Sequence, residues 1–274
     1  MHRPESAAEG QPSSRAQRER LALSTEDRVS FQLHREALER YVPAASRVLE
    51  VGAAGGRFSE ILHHLGCKIS VADPSQPGLD VSREFARARG FESSLEAFQT
   101  DDICALASSG DGAYDVVVAY ASSSSYAGAL SYALERRDRA LAECKRVLRA
   151  GGVLLLSVPS LWGTIHRHLP AVLAQDLVQA RAIIRSGNLP AAAMGLGAGR
   201  HCHLFRAAEL EGFLRRGGLE LLSLSASSAL SASLTLPTTE APGAWSALLE
   251  FERAACSERG YLDNGTHLIA VCRR

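Results

Sequence analysis

The chain has 274 residues, of which 46% are hydrophobic, and its 30 basic residues are balanced by 30 acidic ones. This composition excludes collagen-like repeats and wholesale disorder, and the neutral charge gives no electrostatic preference for nucleic acid. The longest apolar run, 151–163, is shorter than the roughly 20 residues that span a bilayer. Residues 1–20 lack the apolar stretch of a secretory signal, so we expect a cytoplasmic protein without a membrane partner.

Cysteine and histidine spacing gives no metal signal. Six cysteines are scattered without a C-x-x-C pair, which favours free thiols over a zinc ribbon. The histidines include two H-x-H pairs, His166 with His168 and His201 with His203. Neither pair has a suitably spaced acid or cysteine except Cys202, whose side chain would point away in an extended segment. The sequence therefore predicts no metal site.

Order is expected to begin at residue 24. Residues 1–23 are rich in Ala, Ser, Pro, Glu and Arg and lack apolar periodicity, which is typical of a disordered N-terminal arm. Ser24 and Asp27 form a capping-box-like helix start. The helix that follows carries apolar residues at helical spacing, namely Val29, Leu33, Ala37 and Tyr41. Pro43 ends this helix, because proline lacks the N–H that an interior helix position needs.

From residue 46 onwards, short apolar strands alternate with helical patterns. Buried strands are predicted at 46–52, 67–73, 95–98, 113–120 and 151–158, with helices between them. Such βα units, joined by right-handed crossovers, form a parallel sheet with helices on both faces. A helix around Leu210 and two further strands, at 219–226 and 266–272, complete the pattern.

Two connections are far longer than the roughly 2–6 residues usual between such elements. They span about 161–204 and 227–265 and contain helical patches of their own. Connections of this length are usually functional. Because the pattern shows neither an internal repeat nor a second core, residues 24–274 are predicted to form one domain with these two insertions.

The first strand leads into a turn rich in small residues, between Glu50 and Arg57. A dinucleotide fingerprint, G-x-G-x-x-G, would need a small residue at position 57. The pattern acid-x-G-x-G-x-G is met at Glu50, Gly52 and Gly56, with Ala54 in place of the middle glycine. Glycines let the backbone pass close to a ligand, and an acid suits a ligand with ammonium and sulfonium charges. A dinucleotide enzyme and a merely tight strand-to-helix turn stay open on this pattern alone.

The segment VLEVGAAGGRFSEIL, at 48–62, resembles the first motif of class I S-adenosylmethionine-dependent methyltransferases. Tyr114 with Asp115, and Arg-Val-Leu-x-x-Gly-Gly at 146–152, are similar to the family's fourth- and fifth-strand stretches. The resemblance covers about residues 45–160, and more weakly 203–222 and 265–274. It implies a Rossmann-like three-layer α/β sandwich, with a mostly parallel seven-stranded sheet in the order 3-2-1-4-5-7-6 and the last strand antiparallel.

The resemblance also implies residues that bind S-adenosylmethionine and its product S-adenosylhomocysteine. The first motif supplies Glu50, Gly52, Ala53, Ala54 and Gly56. Asp73 closes the second strand, where a carboxylate accepts hydrogen bonds from both ribose hydroxyls; the alternative is that it caps the next helix. Asp102, with Asp101 as the competing choice, is expected against the adenine amino group, and Ile103 beside the ring.

Catalytic and substrate residues are expected above the carboxyl ends of the strands. His203 follows a glycine- and alanine-rich hinge and is the preferred general base, since small shifts match its pKa to working pH. The alternative is that it hydrogen-bonds backbone near the next helix. Tyr120, at the end of the fourth strand, is a second catalytic candidate, against a role as a core aromatic. Trp162 and His201 are candidate substrate contacts.

The leading hypothesis is an enzyme that transfers a methyl group from S-adenosylmethionine to oxygen, nitrogen or carbon of a small molecule. Basic stripes interleaved with aromatics are absent from the sequence, which disfavours a nucleic-acid substrate. One alternative is an NAD(P)-dependent oxidoreductase, against which Arg57 argues. The other is a non-catalytic cofactor-binding or interaction module, which Ala54 and the lack of an obvious base suggest. The sequence gives no oligomeric state.

Overall fold

A computed structural model describes residues 24–53, 55–120, 128–174, 176–191, 201–233 and 242–274. The predicted arm, Ala54 and parts of both predicted insertions lie outside these residues. The described helices are α1 (Thr25–Tyr41), α2 (Arg57–His64), α3 (Gln76–Arg89), α4 (Ala129–Tyr132), α5 (Arg137–Val147), α6 (Leu161–Arg167), α7 (Leu169–Leu173), α8 (Leu177–Ser186), α9 (Ala207–Arg216), α10 (Ala244–Ala255) and α11 (Arg259–Leu262). In this part of the chain, no helix has the length and apolar character needed to cross a membrane.

The strands form one large sheet and one small ribbon. They are β1 (Arg47–Val51), β2 (Lys68–Ala72), β3 (Leu95–Gln99), β4 (Tyr114–Ala119), β5 (Leu148–Pro159), β6 (Asn188–Leu189), β7 (Cys202–His203), β8 (Glu220–Ser227) and β9 (His267–Arg273). Within the described ranges, seven strands pair in the order β3-β2-β1-β4-β5-β9-β8, and β9 runs antiparallel to both neighbours. The predicted order and the antiparallel last strand are thereby confirmed, with β8 and β9 as the sixth and seventh strands.

Apolar side chains on both faces hold the sheet between two helical layers. Val48 and Leu49 are adjacent on β1 and both fully buried, as expected for a strand covered on both faces. Val48 belongs to a cluster with residues of α1 and α2, whereas Leu49 belongs to one with α5 and α9. The first helix begins as predicted, with the Ser24 hydroxyl accepting a bond of 3.0 Å from the N–H of Asp27.

The first long connection builds a small apolar cluster of its own. Its buried members are Leu161, Ile165, Val172, Ala180, Ile183, Leu189, Cys202 and Leu204. Tyr132 of α4 packs against this cluster and joins it to the main body. The sequence predicts no second core, because these residues are divided among three short helices and a two-stranded ribbon, and no single apolar pattern connects them.

The two long connections meet each other and α1. The Ser160 hydroxyl donates to the carbonyl of Asp263 over 2.9 Å, and a Cβ added to Gly163 would clash with the carbonyl oxygen of Gly265. From the second connection, Arg253 pairs with Glu36 of α1, with N–O distances of 2.7 to 3.2 Å. These contacts pack both connections beside the carboxyl end of β5 and the start of β9.

Candidate active site

The glycine turn lies at the carboxyl end of β1, next to β4, where the sheet order changes direction. Gly52 and Gly56 have φ of 75° and 76°, in the left-handed region that favours glycine. A Cβ on Gly56 would also lie 2.8 Å from the ring of Phe85. Ala53 is buried behind the turn. The structure thus brings Gly52, Ala53 and Gly56 together at this edge, while Ala54 is outside the described residues.

Glu50 is a buried acid beside this turn. Its side chain is 2% exposed and accepts a hydrogen bond from the Ser59 hydroxyl of α2. Within the described ranges, no basic side chain forms an ion pair with it. Burial raises the pKa of Glu50 to about 7, and the Ser59 bond offsets only part of that shift. A carboxyl in this setting is matched by a ligand that carries positive charge.

Asp73 directly follows β2 and shapes the turn into α3. One carboxylate oxygen accepts a bond of 2.8 Å from the N–H of Ser75. The same oxygen would lie 3.0 Å from a Cβ added to Gly78, so α3 passes close to the carboxylate. The local capping role is therefore present in the structure. A capping contact and a ligand contact are compatible on one carboxylate, which has two oxygens and about four acceptor sites.

The structure separates the two adjacent acids after β3. Asp101 is buried, and its two oxygens accept from the N–H and the hydroxyl of Ser108. Asp102 is less buried, with one oxygen 2.7 Å from the N–H of Cys104 and the other 3.4 Å from Arg136. Ile103 is buried in the core cluster behind them. Asp101 is thus a structural residue, and Asp102 is the acid that faces outward at this edge.

Tyr120 follows β4 and meets a histidine that sequence reasoning missed. The His34 and Tyr120 rings lie edge to face with centroids 4.7 Å apart, and Phe58 is 5.1 Å from Tyr120. Burial lowers the pKa of His34 to about 3 and raises that of Tyr120. The signal in the sequence is the position of His34 beside Leu33, on the apolar face of α1, where it is indistinguishable from a packing residue.

His203 does not join this cluster. It is 2% exposed, and its Nδ1 and Nε2 lie 2.7 Å from the Asn188 side-chain oxygen and 2.7 Å from a Glu209 carboxylate oxygen. Both ring nitrogens therefore face acceptors, and no lone pair is directed at a substrate. The structure does not support the predicted base: His203 joins the β6–β7 ribbon to α9.

The two predicted substrate contacts lie on the surface of the first connection. Trp162, on α6, is 42% exposed, with the Arg206 guanidinium 5.8 Å from its ring centroid. His201, just before β7, is exposed. In the described part of the chain, no three His, Cys, Asp or Glu side chains group as a metal site.

Comparison with known proteins finds a methyltransferase domain in this chain. A family model described as a methyltransferase domain matches residues 49–156. The ubiquinone biosynthesis O-methyltransferase of Xanthomonas axonopodis pv. citri is 28% identical over 186 residues, which cover 68% of this chain and 67% of that protein. The chain therefore spans about two thirds of the length of this curated relative. These matches confirm the predicted resemblance to class I S-adenosylmethionine-dependent methyltransferases.

Two solved structures share the fold of this methyltransferase. One is the 1,6-didemethyltoxoflavin-N1-methyltransferase of Burkholderia thailandensis with bound 1,6-didemethyltoxoflavin and S-adenosylhomocysteine, at 14% identity and a TM-score of 0.56, covering 99% of this chain and 93% of that one. The other is the cyclase SpnF, at 19% identity and a TM-score of 0.55, covering 89% and 80%. The enzyme's cofactor is S-adenosylmethionine, and the buried acid beside the glycine turn fits its ammonium and sulfonium charges.

The later motifs of the methyltransferase hold the scaffold together. Asp115, at the start of β4, accepts from the N–H of Arg47 at 2.8 Å and from Arg149 at 2.5 Å. Arg146, at the end of α5, donates to Glu143, Asp111 and backbone carbonyls of the loop after β3. Asp115 lies near the start of β4, and Arg146 lies near the end of α5. Their contacts are structural: Asp115 links β4 to β1 and β5, and Arg146 anchors the loop after β3.

Proposed function

We propose that the enzyme methylates an oxygen atom of a small molecule in the cytoplasm. The observation that carries the cofactor assignment is Glu50, a fully desolvated acid beside the left-handed glycines and without a basic partner in the described residues. A pyrophosphate at this turn would add negative charge next to that acid, whereas an ammonium compensates it. The name of the curated relative supports an oxygen acceptor, and six free cysteines agree with a reducing compartment.

The proposed cofactor residues surround one edge of the sheet. When bound, S-adenosylmethionine supplies an electrophilic methyl group on a sulfonium. Glu50 compensates positive charge, and the backbone at Gly52 and Gly56, with Ala53 between them, lets the ligand approach closely. Asp73 accepts from the ribose hydroxyls. Asp102 accepts from the adenine amino group, with Ile103 behind it.

Calorimetric titration of the purified protein with S-adenosylmethionine, S-adenosylhomocysteine and NADH tests the cofactor assignment. We expect binding of the first two and none of NADH. Tight binding of NADH with no response to the sulfonium compound and its product would overturn it in favour of an oxidoreductase.

Incubation with methyl-labelled S-adenosylmethionine and a fractionated metabolite extract tests the reaction. We expect label in a small hydroxylated product, whose methyl group NMR then places on oxygen. The shared fold with a cyclase favours one competing function, in which the bound cofactor assists a reaction other than methyl transfer. Turnover of an extract component with no label transferred would support that function against ours.

A further inference from the structure

Phe31, His34, Phe58 and Tyr120 form a cluster of aromatic rings. Two buried polar atoms in this aromatic cluster lack hydrogen-bond partners among the described residues. They are Nε2 of His34 and the hydroxyl oxygen of Tyr120, and neither contacts solvent. His34 Nδ1 lies 2.8 Å from the carbonyl oxygen of Ser30, to which it donates. The tautomer is thereby fixed, and Nε2 presents a lone pair. The Tyr120 ring packs edge to face against His34, with centroids 4.7 Å apart, and its hydroxyl is an O–H donor.

Leaving a buried donor and a buried acceptor unpaired carries a desolvation cost. Native structures keep such atoms rarely, and a pair in one cluster calls for an explanation. The chemical group that satisfies both is a hydroxyl, since it donates to Nε2 of His34 and accepts from Tyr120. An arylamine donates but accepts only weakly, and a carbon acid makes neither contact well.

The cluster occupies the position expected for the methyl acceptor. Tyr120 directly follows β4, and Phe58 lies on α2 just after Gly56. Phe58 is 5.7 Å from Phe31 in a stacked arrangement and 5.7 Å from His34. The polar pair is therefore packed among aromatic rings at the switch point between β1 and β4, beside the glycine turn. Flat aromatic walls favour a flat aromatic acceptor.

We propose that His34 and Tyr120 form the acceptor subsite for a phenol-type hydroxyl, with His34 as general base; this rests on the proposed function. The acceptor O–H bond breaks as an N–H bond forms at His34 Nε2. The oxygen electron pair forms the O–CH₃ bond, and the electron pair of the S–CH₃ bond returns to sulfur. Positive charge passes from sulfonium to imidazolium, so the net charge of the site is unchanged.

The burial that isolates His34 keeps its lone pair available. Desolvation holds the pKa of this histidine far below neutrality, so the imidazole is unprotonated at physiological pH. His34 lies on α1. Two contacts hold this helix: Glu26 of α1 forms an ion pair with Arg167, and the Ser30 hydroxyl of α1 accepts a hydrogen bond from the Ser227 hydroxyl. Because Nε2 does not contact solvent, an acceptor that reaches it must displace neighbouring side chains, and the reaction then takes place away from water.

Catechol, phenol and aniline are the probes for this subsite, each titrated into the protein saturated with S-adenosylhomocysteine. Histidine-specific ¹⁵N NMR should show a catechol-dependent shift of His34 Nε2, and aniline should give a weaker one. With labelled S-adenosylmethionine, His34→Gln should lower kcat for catechol by about 10²- to 10⁴-fold while leaving cofactor affinity unchanged. An unchanged kcat in this variant, or no catechol-dependent shift, overturns the proposal.

Tyr120→Phe and Tyr114→Phe form a matched pair, because Tyr114 begins β4 and Tyr120 directly follows it. Both tyrosines are 4% exposed, but the Tyr114 hydroxyl lies 3.2 Å from Gln99 and 3.3 Å from Ser109. Tyr120→Phe should weaken catechol binding about fivefold or more and leave the fold as stable as before, because it removes an unpaired group. Tyr114→Phe should lower stability and leave catechol binding unchanged. The reverse pattern contradicts the subsite.

The outcomes separate this proposal from the proposed function. If label reaches a hydroxylated metabolite but none of the phenols is bound or methylated, the phenol subsite is wrong and the methyltransferase stands. If neither binding of S-adenosylmethionine nor transfer of label is detected, the proposed function itself is wrong. If catechol is methylated equally well by wild type and His34→Gln, the acceptor class holds and the base is wrong.

Discussion

At the scale of single residues, the acids at the sheet edge differ in how many hydrogen-bond and charge partners the protein itself provides. Both carboxylate oxygens of Asp101 accept hydrogen bonds from Ser108. Glu50 accepts one from the Ser59 hydroxyl and has no basic partner in the described chain. A buried group that its own fold leaves without compensation is a candidate for ligand binding. Two predictions follow from Glu50 and Asp73.

Glu50→Gln should raise the Kd for S-adenosylmethionine at least about tenfold, because a charge-assisted contact is lost. Binding of a cation favours the carboxylate, so wild type should release a proton on binding near pH 6.5, since the pKa of Glu50 is raised to about 7. Calorimetry in two buffers of different ionisation enthalpy measures this release. Glu92→Gln, at a surface pair with Arg87, is the control. Equal buffer dependence in wild type and Glu50→Gln would exclude Glu50 as the source.

Asp73→Asn should weaken S-adenosylmethionine binding by about tenfold and leave stability nearly unchanged. Asparagine keeps an oxygen for the N–H of Ser75 but loses the charge and one acceptor oxygen. Asp176→Asn is a matched control, because Asp176 makes the same type of contact, with the N–H of Val178 at 3.0 Å. Fluorescence or calorimetric titration measures the affinity. Equal affinity for wild type and Asp73→Asn would assign Asp73 to the turn alone.

At the scale of helices and strands, close backbone contacts decide how the two long connections pack. Gly163 lies in the first turn of α6, against Gly265 just before β9. Gly260 lies in α11 with nothing within 4 Å of an added Cβ. Glycine is thus required for space at one position and free to change at the other.

Gly163→Ala should lower the free energy of unfolding by about 1–3 kcal/mol, because the backbone of residues 264–265 must shift. Gly260→Ala should change it little, or raise it by up to about 1 kcal/mol through helix propensity. Urea denaturation of both variants measures the difference. Equal stability of the two variants would show that the backbone relaxes freely at Gly163.

The elements that sequence predicts and those it misses differ in the range of their contacts. The strand from Arg47 to Val51 and the helix from Thr25 to Tyr41 follow from local apolar patterns, and the structure shows both. The histidine assignments depended on contacts between distant residues. His203 contacts Asn188 and Glu209, and His34 contacts Tyr120, which lies 120 − 34 = 86 residues further along the chain. No local pattern encodes such pairings.

At the scale of the whole molecule, two buried groups give stability opposite dependences on pH. In the folded protein the pKa of His34 is about 3, below its ordinary 6.5. The unfolded chain therefore binds the proton more readily, and the fold loses stability as the pH falls from 6.5 towards 3. The folded pKa of Glu50 is about 7, above its ordinary 4.5, so it costs stability as pH rises from 4.5 to 7. The two dependences overlap between pH 4.5 and 6.5.

Variants should separate these contributions. Relative to His34→Gln, wild type should lose about 1.4 kcal/mol of unfolding free energy per pH unit as pH falls below 6.5. Relative to Glu50→Gln, it should lose a similar amount per unit as pH rises from 4.5 to 7. Urea denaturation from pH 4.5 to 8 measures both, with exposed His64→Gln as control. Parallel curves for wild type and His34→Gln would contradict the first expectation.

The position of β9 has a consequence for how this protein is made. β9 lies between β5 and β8 in the sheet, yet the ribosome synthesises it after both. Until it emerges, the nascent chain displays two open strand edges, which are templates for pairing with other chains. Insertion of β9 between β5 and β8 is therefore a late step of folding, and a chaperone that shields these two edges would act on the chain before that step.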